Sequence, residues 1–255
     1  MSATPTDQWK TSNYALKPER ADQYSLGYFM DLNQRMYETS LEVYYKKLNN
    51  IIDYRDGATL IMNENLEEDL LQGIGRAYGA ELLVKKATGK MTGWFSYTYS
   101  RILYKIEGDT RYGTINLGDW YPANYDKPND LTVTMNYQVN QRFKFGANFV
   151  YSDGKPITWP VNQYWFNDQV VFNFEKRNQE RTPSYHRLDI SFSVKSNIHK
   201  KKKFYKGEFT FSIYNLYGRK NPYSVYITSN KFFPVANMIY VIGTPVPSIS
   251  YSFEF

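Results

Sequence analysis

The residues best suited to binding chemistry are four aromatic side chains in the polar segment PITWPVNQYWFND, residues 156–168. They are Trp159, Tyr164, Trp165 and Phe166. Aromatic rings on a loop can contact the flat faces of sugars, haem or siderophores, and they can equally pack against neighbouring loops. We take these four as the candidate ligand-binding residues, with loop packing as the alternative.

Three charged clusters also have candidate chemistry. The carboxylates of Glu64, Glu67, Glu68 and Asp69 are of the type that binds calcium, but they lack the spacing of a calcium loop. A solvated loop is the simpler interpretation. The run HKKKK at 199–203 could meet lipid phosphates at the inner leaflet, but a hydrated periplasmic turn is the simpler interpretation.

Arg187 and Asp189 lie two residues apart, so they share one face of a strand. We expect them to belong to a structural network that includes a neighbour such as Glu208, rather than to contact a substrate.

Catalysis and cofactor binding find little support in the composition. The chain has no cysteine and only two histidines, His186 and His199, which argues against a zinc site. It contains neither a GxSxG nor an HExxH motif, and no glycine-rich phosphate loop. The net charge of +6 comes from scattered basic residues that form no continuous stripe. We therefore predict a protein that is not an enzyme, has no cofactor and does not bind nucleic acid.

The elements that carry these residues are predicted by alternation of apolar and polar residues, which is typical of β-strands. The glycines of GRAYGAE (75–81) fall within this pattern, where they would permit a bend or close packing. About nine strands are predicted, most of roughly ten residues, a length that suits tilted membrane strands. Their apolar sets are Tyr24–Leu32, Tyr37–Tyr45, Tyr78–Val84, Phe95–Tyr99, Leu131–Val139, Phe143–Tyr151, Leu188–Val194, Phe209–Ile213 and Ile249–Phe255.

The connections between these strands alternate between short and long. Short turns are predicted near 33–35, 88–90, 140–141 and 197–205, and long loops at 49–73, 106–128, 153–184 and 217–245. In an up-and-down sheet, alternate connections lie at opposite ends. All long loops should therefore share one rim, as in outer-membrane barrels.

Alternation alone leaves open whether the apolar face contacts lipid or a protein core. The opposite face is rich in Ser, Thr, Asn, Gln and Gly, which suits a hydrated lumen, and Tyr and Trp gather near strand ends as in a membrane interface. A soluble sandwich shows the same alternation but usually carries more charge outside. We predict lipid contact. A soluble protein would instead bury Phe145, Phe211 and Phe253 in a compact core.

Seven segments together resemble successive barrel segments of a TonB-dependent outer-membrane receptor of the Bacteroidetes type. They are YALKPERADQYSLGY (14–28), GRAYGAELLVKKATGKMTGWFSYTYSR (75–101), YPANYDKPNDLTVTMNY (121–137), YSDGKPITWP (151–160), YHRLDISFSV (185–194), YNLYGRKNPYSVY (214–226) and PSISYSFEF (247–255). The resemblance implies an all-β fold, an antiparallel up-and-down transmembrane β-barrel portion with short periplasmic turns and long extracellular loops. It also implies uptake of a siderophore, glycan, peptide or similar ligand across the outer membrane of a Gram-negative bacterium.

The ending PSISYSFEF resembles the signal that the barrel-assembly machinery reads in outer-membrane proteins. The residues that carry this signal alternate along the final strand: Ile249, Tyr251, Phe253 and Phe255. Phe255 would then lie at the periplasmic rim of a lipid-facing strand.

The resemblance also defines an expected extent and expected partners. Residues 1–255 would be the C-terminal part of a receptor barrel, since no plug, signal peptide or TonB box is visible and nine strands cannot close an even-stranded barrel. Expected partners are outer-membrane lipid, the barrel-assembly machinery, the remaining barrel and plug, TonB through that plug, and a surface lipoprotein. The sequence GRKNPY (218–223) favours the broader receptor group over its glycan-importing branch. The alternatives are a soluble or surface β-rich carbohydrate-binding module and a barrel-type outer-membrane enzyme.

Overall fold

The computed structural model describes residues 12–14, 16–58, 66–196, 206–230 and 232–254, and within them it contains nine long strands in one antiparallel sheet. The strands are β1 (Arg20–Leu32), β2 (Tyr37–Tyr54), β3 (Leu70–Lys86), β4 (Met91–Lys105), β5 (Asn129–Gln138), β6 (Phe143–Ser152), β7 (Tyr185–Lys195), β8 (Lys206–Tyr214) and β9 (Val246–Glu254). Each strand pairs with the next along the chain. The predicted up-and-down order is therefore confirmed. Among the residues described, no helix has both the length and the apolar character needed to span a membrane.

The connections differ in length at the two ends of the sheet. Short turns join β1 to β2, β3 to β4 and β5 to β6, at 33–36, 87–90 and 139–142. Gly89 has a φ of +98° in the second of these turns, a conformation that glycine adopts more readily than other residues. The predicted turn at 197–205 lies outside the described residues, as does HKKKK.

Long connections occupy the opposite end, at 106–128, 153–184 and 215–245. The fourth predicted loop, 49–73, is wrong in its extent because β2 continues to Tyr54 and β3 begins at Leu70. Asn50, with a φ of +57°, forms a bulge between the pairs Asn49–Ile74 and Ile51–Gly73. The bulge reverses which residues face inward, so the ladder of hydrogen bonds continues while the sequence alternation is interrupted.

The long connections carry their own short strands. Tyr121–Pro122 pairs with the end of β4, and Pro156–Ile157 pairs with Glu180–Arg181. Two β-hairpins also lie here, which we call the first hairpin (Pro160–Phe166 with Gln169–Phe174) and the second hairpin (Ser224–Ser229 with Pro234–Ile239).

The strand register places the predicted apolar sets on one face of the sheet. One continuous row runs through Tyr28, Leu41, Leu82, Tyr97, Leu131 and Tyr151 across six strands. Phe145, Phe211 and Phe253 are 50%, 45% and 57% exposed. The apolar face is therefore not buried in a core, and a compact soluble sandwich is not the fold of this chain.

The opposite face is lined by small and polar residues, as predicted. Hydroxyl and amide groups join neighbouring strands there, with Ser212 Oγ and Ser248 Oγ 2.7 Å apart and Thr134 Oγ1 2.7 Å from Asn148 Oδ1. The glycines of β3 allow large side chains of the adjacent strands to lie over them. A Cβ at Gly79 would be 2.5 Å from the carbonyl oxygen of Tyr99 and 2.8 Å from the Tyr44 hydroxyl. The predicted close packing at GRAYGAE is thus observed.

Candidate functional site

The long connections pack together on the polar side of the sheet, where most of the buried apolar residues lie. Ile51, just after the bulge, packs with Ile106, Ile115 and Tyr121 from the connection that follows β4. All four are 3% exposed or less. This cluster fixes the loops to the upper ends of β2, β3 and β4, so they form an ordered surface at the rim.

Arg177 joins the connection 153–184 to the end of β2 and the segment that follows it through its guanidinium group. Its Nη1 lies 3.0 Å from Asp53 Oδ2 and donates to the carbonyl oxygen of Tyr54 at 2.6 Å, while Nη2 donates to Asp56 at 2.5 Å. Burial opposes the charged form, but the two carboxylates outweigh it and raise the pKa of Arg177. The arginine therefore remains a cation while 86% of its side chain is covered.

Tyr121 completes this arrangement by donating its hydroxyl proton to Asp53 Oδ2 at 2.8 Å. Burial, followed by the charge of Asp53, raises the pKa of Tyr121 above its ordinary value. The phenol therefore stays neutral across the physiological range and keeps the proton that it donates to Asp53.

A depression of about 290 Å³ opens beside this group. Its lining mixes charged, amide and small residues: Asp53, Tyr54, Arg55, Gly57, Ala58, Asn124, Thr158, Arg177 and Asn178. Asn178, 4% exposed, donates to the carbonyl oxygen of Pro122 at 2.8 Å and to Asn124 Oδ1 at 2.7 Å. The depression is thus held open by a fixed hydrogen-bond network rather than by apolar packing.

Asp126 is a second point of attachment between loops and is completely buried. It accepts the backbone N–H of Ile102 at 2.6 Å and lies 3.4 Å from Arg101 Nε. Arg181 forms an ion pair with its carboxylate and donates to its backbone carbonyl at 2.9 Å. These contacts bind the connections 106–128 and 153–184 to each other and to β4.

The structure places three of the four predicted ligand-binding aromatics on the first hairpin. Tyr164, Trp165 and Phe166 are 52%, 60% and 63% exposed and precede its turn at Asn167 and Asp168. Because successive strand residues point to opposite faces, Trp165 faces away from Tyr164 and Phe166. Trp159, outside the hairpin strands, is half-buried. The four residues therefore do not form a single aromatic surface.

A second set of exposed aromatics, which the sequence reasoning missed, lies on the second hairpin. Tyr226, Phe232 and Phe233 are 48%, 82% and 58% exposed. Gln163 Nε2 of the first hairpin donates to the carbonyl oxygen of Asn230 at 2.6 Å, so the two hairpins touch. The run of β-branched and aromatic residues Val225, Tyr226 and Ile227 is the sequence signal for this element, and the predicted loop 217–245 included it.

The acidic cluster differs from its prediction at one residue. Asp69 is 4% exposed and forms an ion pair with Arg55, so at this residue the interpretation of a solvated acidic loop is wrong, and Glu64 lies outside the described residues. Within the part of the chain that the structure describes, no group of three or more His, Asp or Glu residues is arranged to hold a metal ion.

Arg187 and Asp189 do form a network, with Arg187 Nε 2.9 Å from Asp189 Oδ2. The neighbours are Tyr185, Tyr214 and the backbone of Asn215. Glu208 instead lies opposite Lys195 in the strand register, so the expected neighbour was wrong.

The predicted assembly-signal residues share the apolar face of β9. Ile249, Tyr251 and Phe253 are 70%, 43% and 57% exposed, and the Tyr251 ring lies 4.4 Å from that of Phe209. Phe255 is outside the described residues.

The sheet is antiparallel and up-and-down, with one apolar face, one hydroxyl-rich face and all long loops at one end. These features together define the wall of a transmembrane β-barrel. The chain belongs to the family described as TonB dependent receptor-like, beta-barrel, whose sequence profile matches residues 2–216. This is a family of receptors and transporters of the Gram-negative outer membrane, and the predicted family and fold class are confirmed.

A solved structure shows the same fold. It is the ferric-catecholate import receptor Fiu from Escherichia coli K12, in its closed form, with a TM-score of 0.56 and 16% sequence identity. The match covers 97% of this chain and 30% of that receptor, so this chain spans under a third of the length of that protein. No curated protein matches the chain.

Proposed function

We propose that this chain forms part of the barrel wall, and several of the extracellular ligand-binding loops, of a TonB-dependent nutrient receptor in a Gram-negative outer membrane. The observation that carries the proposal is the strand register, which joins the apolar sets of successive strands into rows on one exposed face. Such a surface is stable only against hydrocarbon or a large partner.

Residues 1–255 would supply the C-terminal part of the barrel, with the remaining strands and the plug supplied by the rest of the receptor. The described sheet supports this because its two outermost strands, β1 and β9, each pair on one side only. Unpaired strand edges are not tolerated within a bilayer, so further strands are required to close the wall. TonB would act through the plug, and the barrel-assembly machinery would insert the wall.

The ligand would be a siderophore, glycan, peptide or similar nutrient bound by the long loops, with a surface lipoprotein as a candidate partner. Trp159, Tyr164, Trp165 and Phe166 are the proposed contacts, to which the exposed rings of the second hairpin are added. Aromatic faces suit both sugar rings and aromatic chelators. The hydrogen bond between Gln163 and Asn230 supports joint action, because it holds the two hairpins against each other.

The orientation can be tested with epitope insertions in the full receptor in its natural host. One epitope follows Asp168, at the tip of the first hairpin, and the matched epitope follows Thr88, in a short turn at the opposite end of the sheet. We expect antibody to label the first on intact cells, and the second only after the outer membrane is permeabilised. Recovery of both proteins in the soluble fraction, or the reverse labelling pattern, would overturn the proposal.

A further inference from the structure

The apolar face carries two basic residues directly opposite each other near the rim that holds the long loops. Lys47 of β2 pairs in register with Arg76 of β3, and both belong to the same face as the apolar row of Tyr45 and Tyr78. Like charges directly opposite each other destabilise a sheet unless an anion or a carboxylate compensates them. The pair therefore raises the question of what neutralises it.

The carboxylates of the described residues account for little of this charge. The acidic residue nearest in register is Asp22 of β1, which lies opposite Lys47. Its Oδ1 is 3.0 Å from Nη2 and 3.3 Å from Nε of Arg20, so that carboxylate already serves another cation. Lys105, the basic residue farther along β4, is paired with Glu107 at 2.7 Å. Among the described residues, no ion pair joins Lys47 or Arg76 to a carboxylate.

Arg76 is held in place rather than free to move into water. Its guanidinium carbon lies 4.3 Å from the centre of the Trp120 ring, and Leu103, its register partner on β4, is 9% exposed. Its Nε atom is buried and makes no hydrogen bond. Stacking on an aromatic ring fixes the plane of the guanidinium group and leaves its outer edge available for a bidentate acceptor.

The position of the pair identifies the acceptor. Tyr24, Tyr45 and Tyr78 form one row across β1, β2 and β3, and Asp22, Lys47 and Arg76 form the next row toward the long loops. Tyrosine rings on a lipid-facing surface lie at the level of the headgroups. Lys47 and Arg76 are therefore at headgroup height on the lipid side, where the abundant anion is a lipid phosphate.

We propose that Lys47 and Arg76 bind the phosphate group of a phosphorylated lipid in the outer leaflet. Arg76 supplies two parallel N–H donors and Lys47 a compact positive charge, while Tyr45 and Tyr78 contact the upper part of the acyl chains. The inference rests on the proposed membrane location, and it adds a specific lipid site to the outer wall of the barrel.

The test uses the full receptor purified in detergent and native mass spectrometry with three added probes: lipid A with both phosphates, fully dephosphorylated lipid A, and inorganic phosphate. We expect the wild-type protein to retain the phosphorylated lipid. Each basic residue near a charged membrane surface contributes about fivefold in affinity, so Lys47→Gln with Arg76→Gln should weaken retention about twenty-five-fold. Lys46→Gln is the matched control, since Lys46 is adjacent on the same strand but faces inward, over the Tyr44 ring.

Each outcome decides the question. Unchanged retention in the double variant, or equal loss in the Lys46→Gln control, would overturn the lipid site. Equal binding of dephosphorylated lipid A would show that the phosphate is not recognised, and displacement by inorganic phosphate at comparable concentration would show a simple anion site with no preference for lipid. Membrane fractionation is scored separately, so a receptor found outside the membrane refutes the proposed function, whereas a membrane-inserted receptor without lipid selectivity refutes only this site.

Discussion

Arg181 donates to both the carboxylate and the backbone carbonyl of Asp126, 55 residues earlier in the chain, and Asp126 is completely buried. This pair joins the connection that follows β4 to the connection that follows β6. The same arginine Nη1 also donates to the carbonyl oxygen of Gly154 at 3.0 Å. The order of the rim that carries the long loops therefore depends in part on this ion pair between two loops.

Arg181→Gln should loosen the rim and leave the barrel wall intact. The change leaves Asp126 buried with one weakly placed cation, and loss of one partner of a buried ion pair costs about 3–5 kcal/mol. Limited proteolysis of the purified receptor should then cut the connections 106–128 and 153–184 faster, while the heat-dependent gel mobility of the folded barrel is retained. Lys155→Gln, which changes an exposed side chain in the same loop, is the control and should be cleaved at the wild-type rate. Wild-type protection in Arg181→Gln would contradict this role.

Tyr121 should make the rim sensitive to strong alkali. Its pKa is raised in the folded state above the ordinary 10.0 because of burial and the charge of Asp53. The stabilisation is therefore fully present below about pH 10 and is lost as the pH rises toward the folded-state pKa, since the unfolded loop releases its proton first. Thermal unfolding of the loops, followed by near-ultraviolet circular dichroism from pH 7 to 11, should show this decline. Tyr121→Phe should be less stable at pH 7 and less dependent on pH, whereas Tyr112→Phe, at an exposed ring, should match wild type.

The parts of the fold that could be predicted are those encoded by neighbouring residues. Alternation at period two indicates which residues share a strand face. It predicted the nine strands, the positions of the short turns and the exposure of Phe145, Phe211 and Phe253. The bulge at Asn50 shows where this fails. One extra residue exchanges the two faces, so Ile51 and Asp53 continue the strand although the pattern suggested a loop.

The rim could not be predicted because its contacts join residues far apart in sequence. Arg177 reaches Asp53 and Asp56 across more than 120 residues, and nothing near any of them in sequence indicates the partner. Asp69 looked like one member of a hydrated acidic run, yet the last turn before β3 buries it against Arg55. The loop aromatics could be named from the sequence, but the hairpin pairing that places Trp165 and Tyr164 on opposite faces could not.

Gly79→Ala should impair folding of the barrel wall. The new methyl group would lie 2.5 Å from the backbone carbonyl of Tyr99, which cannot rotate away, and such overpacking costs about 1–3 kcal/mol. The amount of heat-modifiable receptor in the outer membrane should fall. Gly27→Ala is the matched change, because its closest contacts are side-chain atoms of Phe29 and Glu42 that can move, and it should assemble normally. Equal yields from the two variants would show that β3 tolerates a side chain at Gly79.

The first hairpin should contribute to ligand binding without contributing to assembly. Replacing Tyr164, Trp165 and Phe166 together with alanine removes exposed rings, so the yield of folded receptor should be unchanged. The ligand panel comprises a ferric catecholate complex, a maltooligosaccharide and an oligopeptide. Binding of one of these ligands, measured by equilibrium dialysis, should weaken at least about fivefold, since Tyr164 and Phe166 share a face and ring stacking contributes about 0.5–1.5 kcal/mol per residue. Tyr112→Ala, an exposed ring on a neighbouring loop, should bind as wild type. If the triple variant keeps wild-type affinity for every ligand that the receptor binds, the hairpin is not part of the ligand site.

Tyr251→Ser should reduce insertion of the receptor into the outer membrane, and Ser252→Ala should not. Tyr251 belongs to the apolar face of β9 and packs on Phe209 of β8, with Phe253 on the same face 6.1 Å away. Ser252 is the next residue but points to the hydroxyl-rich face, so its replacement leaves the aromatic row unchanged. Quantitative immunoblots of heat-modifiable receptor, normalised to total synthesis, should show the loss for Tyr251→Ser alone. Tyr251→Phe keeps the ring and should restore insertion. Equal loss in the Ser252 variant would mean that pairing of β8 with β9, and not the row of rings, is what the assembly machinery requires.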